Sequence, residues 1–344
     1  MDQEGPVTMQ TVADALGLSR ATVSLALRDA SKIAEETRLR VQAEAARLGY
    51  IPNRNAVRLR TQQRNVIGLV VPDITNPVVA EAAIGMQMGL EDRSMIVLLS
   101  NTFDDLTMQR HVLRQLVEEQ VAGVLLLPAL GTTAVELERL RAARIPVVLL
   151  NRAVPESDLP IVHVLDAEIV GIAFEHLVVE HGAQSLGYFG GIGDAGPRIQ
   201  RMESFSRLCA AEDVRVMEAW SAPSPSSAIA ARELAHRLLG SAEPLPDALI
   251  VHNDIIAIGV LRALNEFSIS PSELRVVSID DVELASITTP SLSSVSIHPR
   301  DLGRTAGHRL LAALSGEVFD GALEAPSLAR RESCGCGSAP VAVG

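Results

Sequence analysis

The sequence predicts an α/β protein in which a small all-helical domain precedes two lobes built on doubly wound parallel sheets. Residues 7–27 have helical spacing interrupted by one glycine. Residues 65–279 alternate short apolar runs with helical stretches, and aliphatic side chains dominate a composition that is 47% hydrophobic but only 3% aromatic. A chain of 344 residues can bury more than one hydrophobic core.

Two short helices with a tight turn between them are predicted within residues 11–27. The first ends at Gly17, where a left-handed conformation has little cost. Ser19 can cap the second helix by accepting a backbone N–H. Val23 and Leu27, four residues apart, give that helix a buried side and leave Arg20 on the other side. This is the pattern of a helix-turn-helix, whose second helix enters a DNA major groove.

Charge is distributed unevenly along the chain. Residues 1–64 contain ten Arg and Lys against seven Asp and Glu, whereas the whole chain has a net charge of −12. A basic head on an acidic body is typical of a DNA-binding domain joined to a separate module. No signal peptide and no long apolar run are found. We therefore expect a cytoplasmic protein without a membrane span.

A third helix is predicted to begin at Ala34, which offers no capping side chain, and to end at Gly49. With it, the sequence closely resembles the LacI/GalR family of bacterial transcription repressors. The matching motifs are TVADALGLSRATVS (11–24), EETRLRVQAEAARLGYIPN (35–53), NVIGLVVPDITNP (65–77) and VVSIDDVELASITTPSLSSV (276–295). Together they extend over nearly the whole chain.

The apolar runs after residue 65 form two series. They occupy residues 66–71, 95–100, 124–128 and 146–151, then 161–165, 186–190, 248–252 and 274–279. Continuous apolar runs indicate parallel strands buried on both faces. The resemblance implies a core of the periplasmic-binding-protein type. The predicted domains are 1–52 (helix-turn-helix), 53–64 (hinge helix and linker) and 65–344 (effector-binding and dimerisation core), with an N-lobe of about 65–161 and 296–325 and a C-lobe of about 162–295 and 326–338.

The resemblance implies DNA contacts from the second helix and from the hinge helix. Arg20 can pair with guanine through two hydrogen bonds, or contact phosphate alone. Leu25 stands where the family commonly has a polar residue, so no known operator is carried over. Leu59 matches the leucine that wedges between base pairs in the minor groove. The residues expected at DNA are Thr8, Ser19, Arg20, Ala21, Ser24, Leu25, Lys32, Asn53, Arg54, Ala56, Leu59 and Arg60.

Polar residues that end or follow strands indicate a ligand cleft, because open α/β sheets bind ligands beyond the carboxyl ends of their strands. Arg201 matches the family's effector-binding arginine; a salt bridge across the cleft is the alternative. Trp220 matches an aromatic of some sugar-binding members, with a packing role equally open. The other candidates could also be caps or turn residues. The expected effector residues are Asp73, Asn76, Asn151, Arg201, Trp220, Asn253 and Asp280.

Enzyme and metal alternatives have weaker support. Residues 191–196 match G-x-G-x-x-G after a strand, but no acidic residue closes a second strand as in a dinucleotide site. Cys334 and Cys336 are two thiols without a second ligand pair, and a reduced tail is favoured. His176 and His181 would lie about 140° apart on an α-helix, solvated or near its end. We expect no catalytic apparatus, no cofactor and no metal.

The combined prediction is a ligand-responsive transcription regulator, a repressor of metabolic genes, that binds a pseudo-palindromic operator as a homodimer. Its effector would be a sugar or other small metabolite, although Val78 and Val79 replace an aromatic that many sugar-binding members have. Two alternatives use the same α/β core: a solute-binding receptor and a nucleotide-dependent enzyme. The basic head and the missing signal peptide argue against the receptor.

Overall fold

The computed structural model describes residues 7–27, 33–50, 64–90, 95–319 and 321–337. The chain divides into two compact units, residues 1–64 and residues 65–344, and each is described by itself. Within the described residues, no helix has the length and apolarity needed to cross a membrane. The expected DNA contacts that lie outside the described residues are Lys32, Asn53, Arg54, Ala56, Leu59 and Arg60.

The described part of the N-terminal unit contains three helices around a small aliphatic core. Val12, Val23 and Val41, one from each helix, have no exposed surface. Leu27 and Leu48 are partly buried against them, as the helical spacing predicts. The helices are α1 (Met9–Leu16), α2 (Arg20–Ala26) and α3 (Glu35–Leu48).

The helix ends follow the local sequence. The hydroxyl of Thr8 accepts from the backbone N–H of the first turn of α1 at 3.2 Å, and the hydroxyl of Ser19 does the same for α2 at 3.0 Å. Gly17 and Gly49 end α1 and α3 with φ of 63° and 71°. Ala34 provides no side-chain cap for α3. The predicted cap at Ser19, the stops at Gly17 and Gly49 and the missing cap at Ala34 are confirmed.

The N-lobe of the second unit is a five-stranded, all-parallel sheet in the order β2-β1-β3-β4-β5. Parallel pairing over short apolar runs confirms the predicted α/β class. The elements of this lobe are β1 (Val66–Val71), α4 (Pro77–Leu90), β2 (Ile96–Asn101), α5 (Leu106–Glu118), β3 (Gly123–Leu126), α6 (Ala134–Ala142), β4 (Val147–Leu150) and β5 (Ile161–Val162).

The C-lobe is a six-stranded sheet in the order β11-β10-β9-β8-β6-β7, in which only β11 is antiparallel to its neighbour. Its elements are α7 (Asp166–Glu175), β6 (Ser185–Phe189), α8 (Gly196–Ala211), β7 (Arg215–Val216), α9 (Ala228–Leu239), β8 (Ala248–Val251), α10 (Asp254–Glu266), β9 (Arg275–Asp280), α11 (Glu283–Ile287), β10 (Ser293–Ser296) and β11 (Ser327–Ala329).

The chain passes between the lobes three times: after β5, after β10 and before β11. Between the last two passages, helix α12 (Pro299–Ser315) packs on α4 of the N-lobe. The two helices approach backbone to backbone at glycines. A Cβ atom at Gly303 would lie 1.9 Å from the carbonyl oxygen of Ala82, and one at Gly85 would lie 1.9 Å from that of Arg300.

The segment after α7 departs from the sequence prediction. His176–Glu180 continues the helix as a π turn. Residues five apart stack in a π turn instead of diverging, because the hydrogen bonds run from i to i+5. The rings of His176 and His181 therefore meet edge to face at 4.7 Å, and His176 is 1% exposed. The expected divergence of the two histidines is therefore wrong, whereas their expected position near the helix end is confirmed.

Candidate functional site

Helix α2 has the surface that a recognition helix needs. Val23 and Ala26 are fully buried, whereas Arg20 and Ala21 are exposed at its N-terminal end. Leu25 is 37% exposed and Ser24 is half-buried. The exposed side therefore combines a cation, a small residue and an apolar residue. The capping hydroxyls of Thr8 and Ser19 are also at exposed positions. Base contacts by these six residues remain predictions.

In the N-lobe, the loop after β1 is organised by its own polar side chains. The carboxylate of Asp73 accepts from the N–H and the hydroxyl of Thr75, at 2.9 and 2.6 Å. The side chain of Asn76 accepts from the N–H of Val78 at 3.1 Å in the first turn of α4. Both candidates thus occupy the turn and cap roles that the sequence left open. Neither role prevents a second contact, because a carboxylate or amide oxygen has more than one lone pair.

Asn151 directly follows β4, at the same sheet edge as the loop after β1, because the two strands run parallel to β3. Its φ of 54° is left-handed, a conformation that asparagine tolerates better than most residues. Its Oδ1 atom is buried and has no hydrogen-bond partner within the described chain. A buried acceptor without a donor costs free energy, so Asn151 is poised to accept from a ligand N–H or O–H.

Arg152, which was not among the predicted site residues, connects the loops at this edge. Its guanidinium donates to both carboxylate oxygens of Asp104, at 2.6 and 3.1 Å, and to the carbonyl of Pro128 at 3.0 Å. These three residues belong to the segments that follow β4, β2 and β3 respectively. The ion pair of Arg152 and Asp104 therefore links the loops on the N-lobe side of the cleft.

The C-lobe side is centred on Arg201 of α8. Its Nε donates to Asp166, the first residue of α7, at 2.6 Å, and its Nη1 donates to the carbonyl of His252 at 2.8 Å. Both charged side chains are buried. Burial alone would lower the pKa of Arg201, but the phenol of Tyr188 and the carboxylates of Asp166 and Asp280 outweigh it and raise the pKa. Arg201 thus forms a salt bridge, but within its own lobe and not across the cleft.

Asp280 ends β9 with a φ of 121°, which is strained for a residue other than glycine. Its carboxyl is 6% exposed and makes no hydrogen bond with any residue that the structure describes. Burial and the nearby Asp254 raise its pKa well above the ordinary value, and Arg201 only partly offsets them. A carboxyl in this state can donate a hydrogen bond as well as accept one.

His252, at the end of β8, is the second residue that the sequence analysis missed; the apolar run was taken to include it. Its Nδ1 lies 2.8 Å from the hydroxyl of Tyr188. Burial, followed by the positive charges of Arg201, Arg198 and Arg152, lowers its pKa well below the ordinary value. The imidazole is therefore neutral at physiological pH. Because Arg152 belongs to the N-lobe, positive charges from both sides of the cleft lower the pKa of His252.

Two expected effector residues have other roles in this structure. Asn253 caps α10 through Oδ1, which accepts from Ile256 at 3.0 Å, and its Nδ2 donates to Ser226 at 2.9 Å. Trp220 is fully buried in the C-lobe core beside Phe189, and its indole N–H donates to the carbonyl of Pro244 at 3.0 Å. The expected ligand contact of Trp220 is therefore not available, because packing has removed its surface from the cleft.

Protein side chains occupy the space beside the glycine loop that follows β6 (residues 191–196). Arg198 donates to the carbonyls of Gly190 and Ser221, the latter at 2.8 Å. A Cβ atom at Gly191 would lie 2.8 Å from the ring of His252, so this glycine is required for packing.

The two cysteines near the C-terminus do have a second ligand pair, contrary to the sequence analysis. His176, His181, Cys334 and Cys336 place one donor atom each within 4.8 Å of one another. The four residues are called the His–Cys cluster below. The sequence hides this group because its two halves lie far apart along the chain and the π turn that joins the histidines has no clear sequence signal.

Comparisons with known proteins match both units. A model of bacterial regulatory proteins of the lacI family matches residues 8–53, and a model of the periplasmic binding protein-like domain matches residues 174–334. The repressor CytR of Escherichia coli K12 is 25% identical over 92% of both sequences. The ribose operon repressor of Bacillus subtilis 168 is 29% identical over 89% of this chain and 91% of its own.

A solved structure of the Lac repressor dimer, bound to operator and the anti-inducer ONPF, superimposes with a TM-score of 0.83. It is 23% identical and covers 96% of this chain and 99% of its own. This likeness establishes the fold over nearly the full length of the chain.

Proposed function

The chain belongs to the LacI family of bacterial regulatory proteins, and on this premise we propose that it is a ligand-responsive, sequence-specific DNA-binding repressor of metabolic genes. The carrying observation is the capped helix α2, with Arg20 and Ala21 exposed at its N-terminal end. The same chain continues into an α/β core with buried polar groups at its strand ends. Reading DNA and sensing a metabolite are thereby combined in one protein, which acts in the cytoplasm where its operator is.

The working form is a homodimer, which two further surface features support. Helix α4 exposes Ile84 and Met88 at 46% and 51%, and the edge strand β2 exposes Ile96 and Leu98 at 45% and 44%. An apolar edge of this kind is a pairing surface that monomers avoid. A second copy that covers it would give two α2 helices for the two halves of a pseudo-palindrome.

The effector is a small polar metabolite, a sugar or a compound of similar chemistry. Asn151 offers an unpaired buried acceptor, and Asp280 a carboxyl free of hydrogen bonds within the described chain. Arg201 adds a cation whose direction is fixed by Asp166. Several convergent donors and acceptors suit hydroxyl and amino groups.

Regulation follows from closure of the two lobes around the effector. The effector can shift the protein between states only by as much as its affinities for them differ. By linkage, operator DNA must change effector affinity by the same factor. A solute-binding receptor with the same core would bind the ligand without this reciprocal effect.

The test is capture of genomic DNA fragments by the purified full-length protein, with and without a small-molecule cell extract. We expect enrichment of a short pseudo-palindrome in one of the two conditions, and the neighbouring genes would nominate the effector. The Arg20→Ala variant tests the role of helix α2 in this enrichment. Its matched control is Arg262→Ala, at an exposed arginine of α10. Failure to enrich any sequence in either condition would contradict the proposal.

A further inference from the structure

The His–Cys cluster joins two distant parts of the C-lobe. His176 and His181 lie at the end of α7, and Cys334 and Cys336 lie in the C-terminal segment after β11. The Nε2 atom of His181 is 3.3 Å from the Sγ atom of Cys336, and the Nε2 atom of His176 is 3.7 Å from it. Two imidazoles and two thiols thus converge on one point.

The local backbone is shaped to bring these groups together. The π turn stacks the two histidines, and such turns occur frequently at functional sites. On the other side, Gly335 takes a left-handed φ of 83° between the two cysteines. Cys334 is fully buried and His176 is 1% exposed. The arrangement therefore depends on two uncommon conformations, one in each partner segment.

The C-terminal segment is firmly anchored directly before the cysteines. The hydroxyl of Ser333 donates to the carbonyl of Val276 at 2.7 Å and accepts from the N–H of Ser293 at 2.8 Å. The carboxylate of Glu332 accepts from the N–H of Ser291 at 2.7 Å. Anchoring reduces the conformational entropy lost on ligand binding, so the thiols are pre-organised.

The observed distances fit tetrahedral coordination. Zinc–sulfur bonds of about 2.3 Å and zinc–nitrogen bonds of about 2.0–2.1 Å place neighbouring ligand atoms about 3.3–3.8 Å apart. The two nitrogen–sulfur distances from Cys336 lie within this range, and the widest separation in the cluster, at most 4.8 Å, requires only a modest contraction. Thiolate and imidazole ligands in such a geometry favour zinc over the oxygen-preferring Mg²⁺ and Ca²⁺.

A second layer of charged groups supports the cluster. A carboxylate oxygen of Glu180 lies 3.2 Å from Nδ1 of His176, although the two atoms are not aligned for a hydrogen bond. Arg330 holds the same carboxylate through two contacts of 2.7 and 2.5 Å. A carboxylate behind a ligating histidine is a recurrent feature of zinc sites, where it orients the ring.

We propose that His176, His181, Cys334 and Cys336 bind one Zn²⁺ ion and so fasten the C-terminal segment to the end of α7. Four protein ligands leave no open position, which makes the site structural and not catalytic. This inference goes beyond the regulatory function and does not depend on it. Zinc would add a cross-link within the C-lobe that forms only in the folded chain.

Metal content of the full-length protein, purified under reducing conditions and dialysed, gives the direct test. We expect one zinc per chain, and on Co²⁺ substitution the intense visible bands and the sulfur-to-cobalt charge transfer of a tetrahedral thiolate site. Cys336→Ser and His181→Gln should each weaken zinc binding by more than about 100-fold, since changing supporting residues alone costs about 10–100-fold. The matched controls are Cys209→Ala, at the third cysteine, and His163→Gln, and both should keep the metal.

The Glu180→Gln variant tests whether Glu180 supports a zinc ligand without binding zinc itself. We expect it to retain one zinc per chain while its affinity, measured by competition with a chromophoric chelator, falls about 10-fold or more. Wild-type zinc content no higher than that of Cys336→Ser, or octahedral Co²⁺ spectra, would overturn the proposal. So would a mass lower by two hydrogens that maps to a Cys334–Cys336 disulfide in the reduced preparation. The wild-type measurements stand even if a variant fails to fold.

Discussion

Arg201 and Asp166 form an ion pair of 2.6 Å in which the side chains are only 4% and 5% exposed. The same guanidinium donates to the carbonyl of His252 at 2.8 Å. These two contacts already fix the guanidinium of Arg201. A ligand that binds to this side chain therefore does not have to immobilise it. A site prepared in this way loses less entropy on binding.

Changing Arg201 should therefore separate ligand response from DNA binding. We expect Arg201→Lys, which keeps the charge beside Asp166 but loses the planar fork, to weaken the effector response at least about 10-fold while operator affinity stays unchanged. Arg201→Ala should abolish the response and also lower the free energy of unfolding by about 3–5 kcal/mol, since Asp166 would be left buried and unpaired. Operator release titrations and urea unfolding measure the two effects. An unchanged response in both variants would remove Arg201 from the effector site.

The matched control for stability is Arg262→Ala. Arg262 pairs with Glu266 on the surface of α10 and is 67% exposed. Exposed pairs of this spacing contribute about 0.3–0.5 kcal/mol. A loss at Arg262 as large as that at Arg201 would show that burial is not the cause.

The buried Asp254 should make the stability of the core depend on pH. Burial, only partly offset by hydrogen bonds from Ser278, Ser294 and Val282, raises its pKa from 3.8 to about 6. Because the folded pKa is the higher one, Asp254 contributes stability that is present below pH 3.8 and is lost as the pH rises through about 6. The full loss amounts to about 3 kcal/mol.

Asp254→Asn should remove this component. Between about pH 4 and about pH 7, the free energy of unfolding should decrease less in this variant than in the wild type, by about 2–3 kcal/mol. Urea unfolding across that interval measures the difference, and Asp194→Asn, at an exposed carboxylate, is the control. The pH slope and not the absolute stability is decisive, because asparagine cannot accept all three hydrogen bonds. A slope equal to that of the wild type would contradict the assignment.

Arg20 should carry sequence information. If it pairs with a guanine, Arg20→Ala should lose about 1–3 kcal/mol on the preferred operator and should no longer distinguish that base pair from its alternatives. Fluorescence anisotropy on a set of operators that differ at single positions provides the measurement. A uniform loss on every sequence would instead assign Arg20 to phosphate.

The exposed apolar edge of the N-lobe should mediate dimerisation. A charge at Leu98 would have to be desolvated in the interface, so we expect Leu98→Glu to weaken the dimer at least about 100-fold. Sedimentation velocity measures the association, and operator affinity should fall with it. Ile229→Glu, at a residue of α9 that is 72% exposed, is the control. Equal association of the two variants would place the dimer surface elsewhere.

Two helical glycines should respond oppositely to the same substitution. Gly303→Ala would place a Cβ atom 1.9 Å from the carbonyl of Ala82, so α12 must move away from α4; we expect a loss of about 1–3 kcal/mol. Gly171→Ala in α7 meets no atom within 4 Å and should gain about 0.5–1 kcal/mol from helix propensity. Thermal and urea unfolding compare the two. Loss of stability in both would indicate a cause other than the helix contact.

The features that were predictable from the sequence are local. The cap at Ser19 and the stops at Gly17 and Gly49 depend on residues within a few positions, and the structure has them as expected. The apolar runs also located the five strands of the N-lobe sheet and β6, β8 and β9 of the C-lobe sheet, but not β7, β10 or β11. Their exact ends were less predictable, and for that reason His252 was counted in a strand that stops at Val251.

The features that were not predictable depend on distant partners. The histidine pair is brought together by a π turn whose partner, Cys336, lies 155 residues beyond His181. Trp220 could be a ligand contact or a core residue until the carbonyl of Pro244 was seen to accept its indole N–H. The arginine at position 201 was predicted, but its partner Asp166 was not, because nothing in the sequence indicates which carboxylate faces it.

The close contact of α4 with α12 has a mechanical consequence. α12 starts directly after β10 of the C-lobe, and α4 has Ile84 and Met88 on its exposed side. Because main-chain atoms of the two helices touch, no soft side-chain layer separates them to absorb displacement. A displacement of α12 would therefore be passed on to α4, and to the exposed apolar side of that helix, with little adjustment of side chains between them.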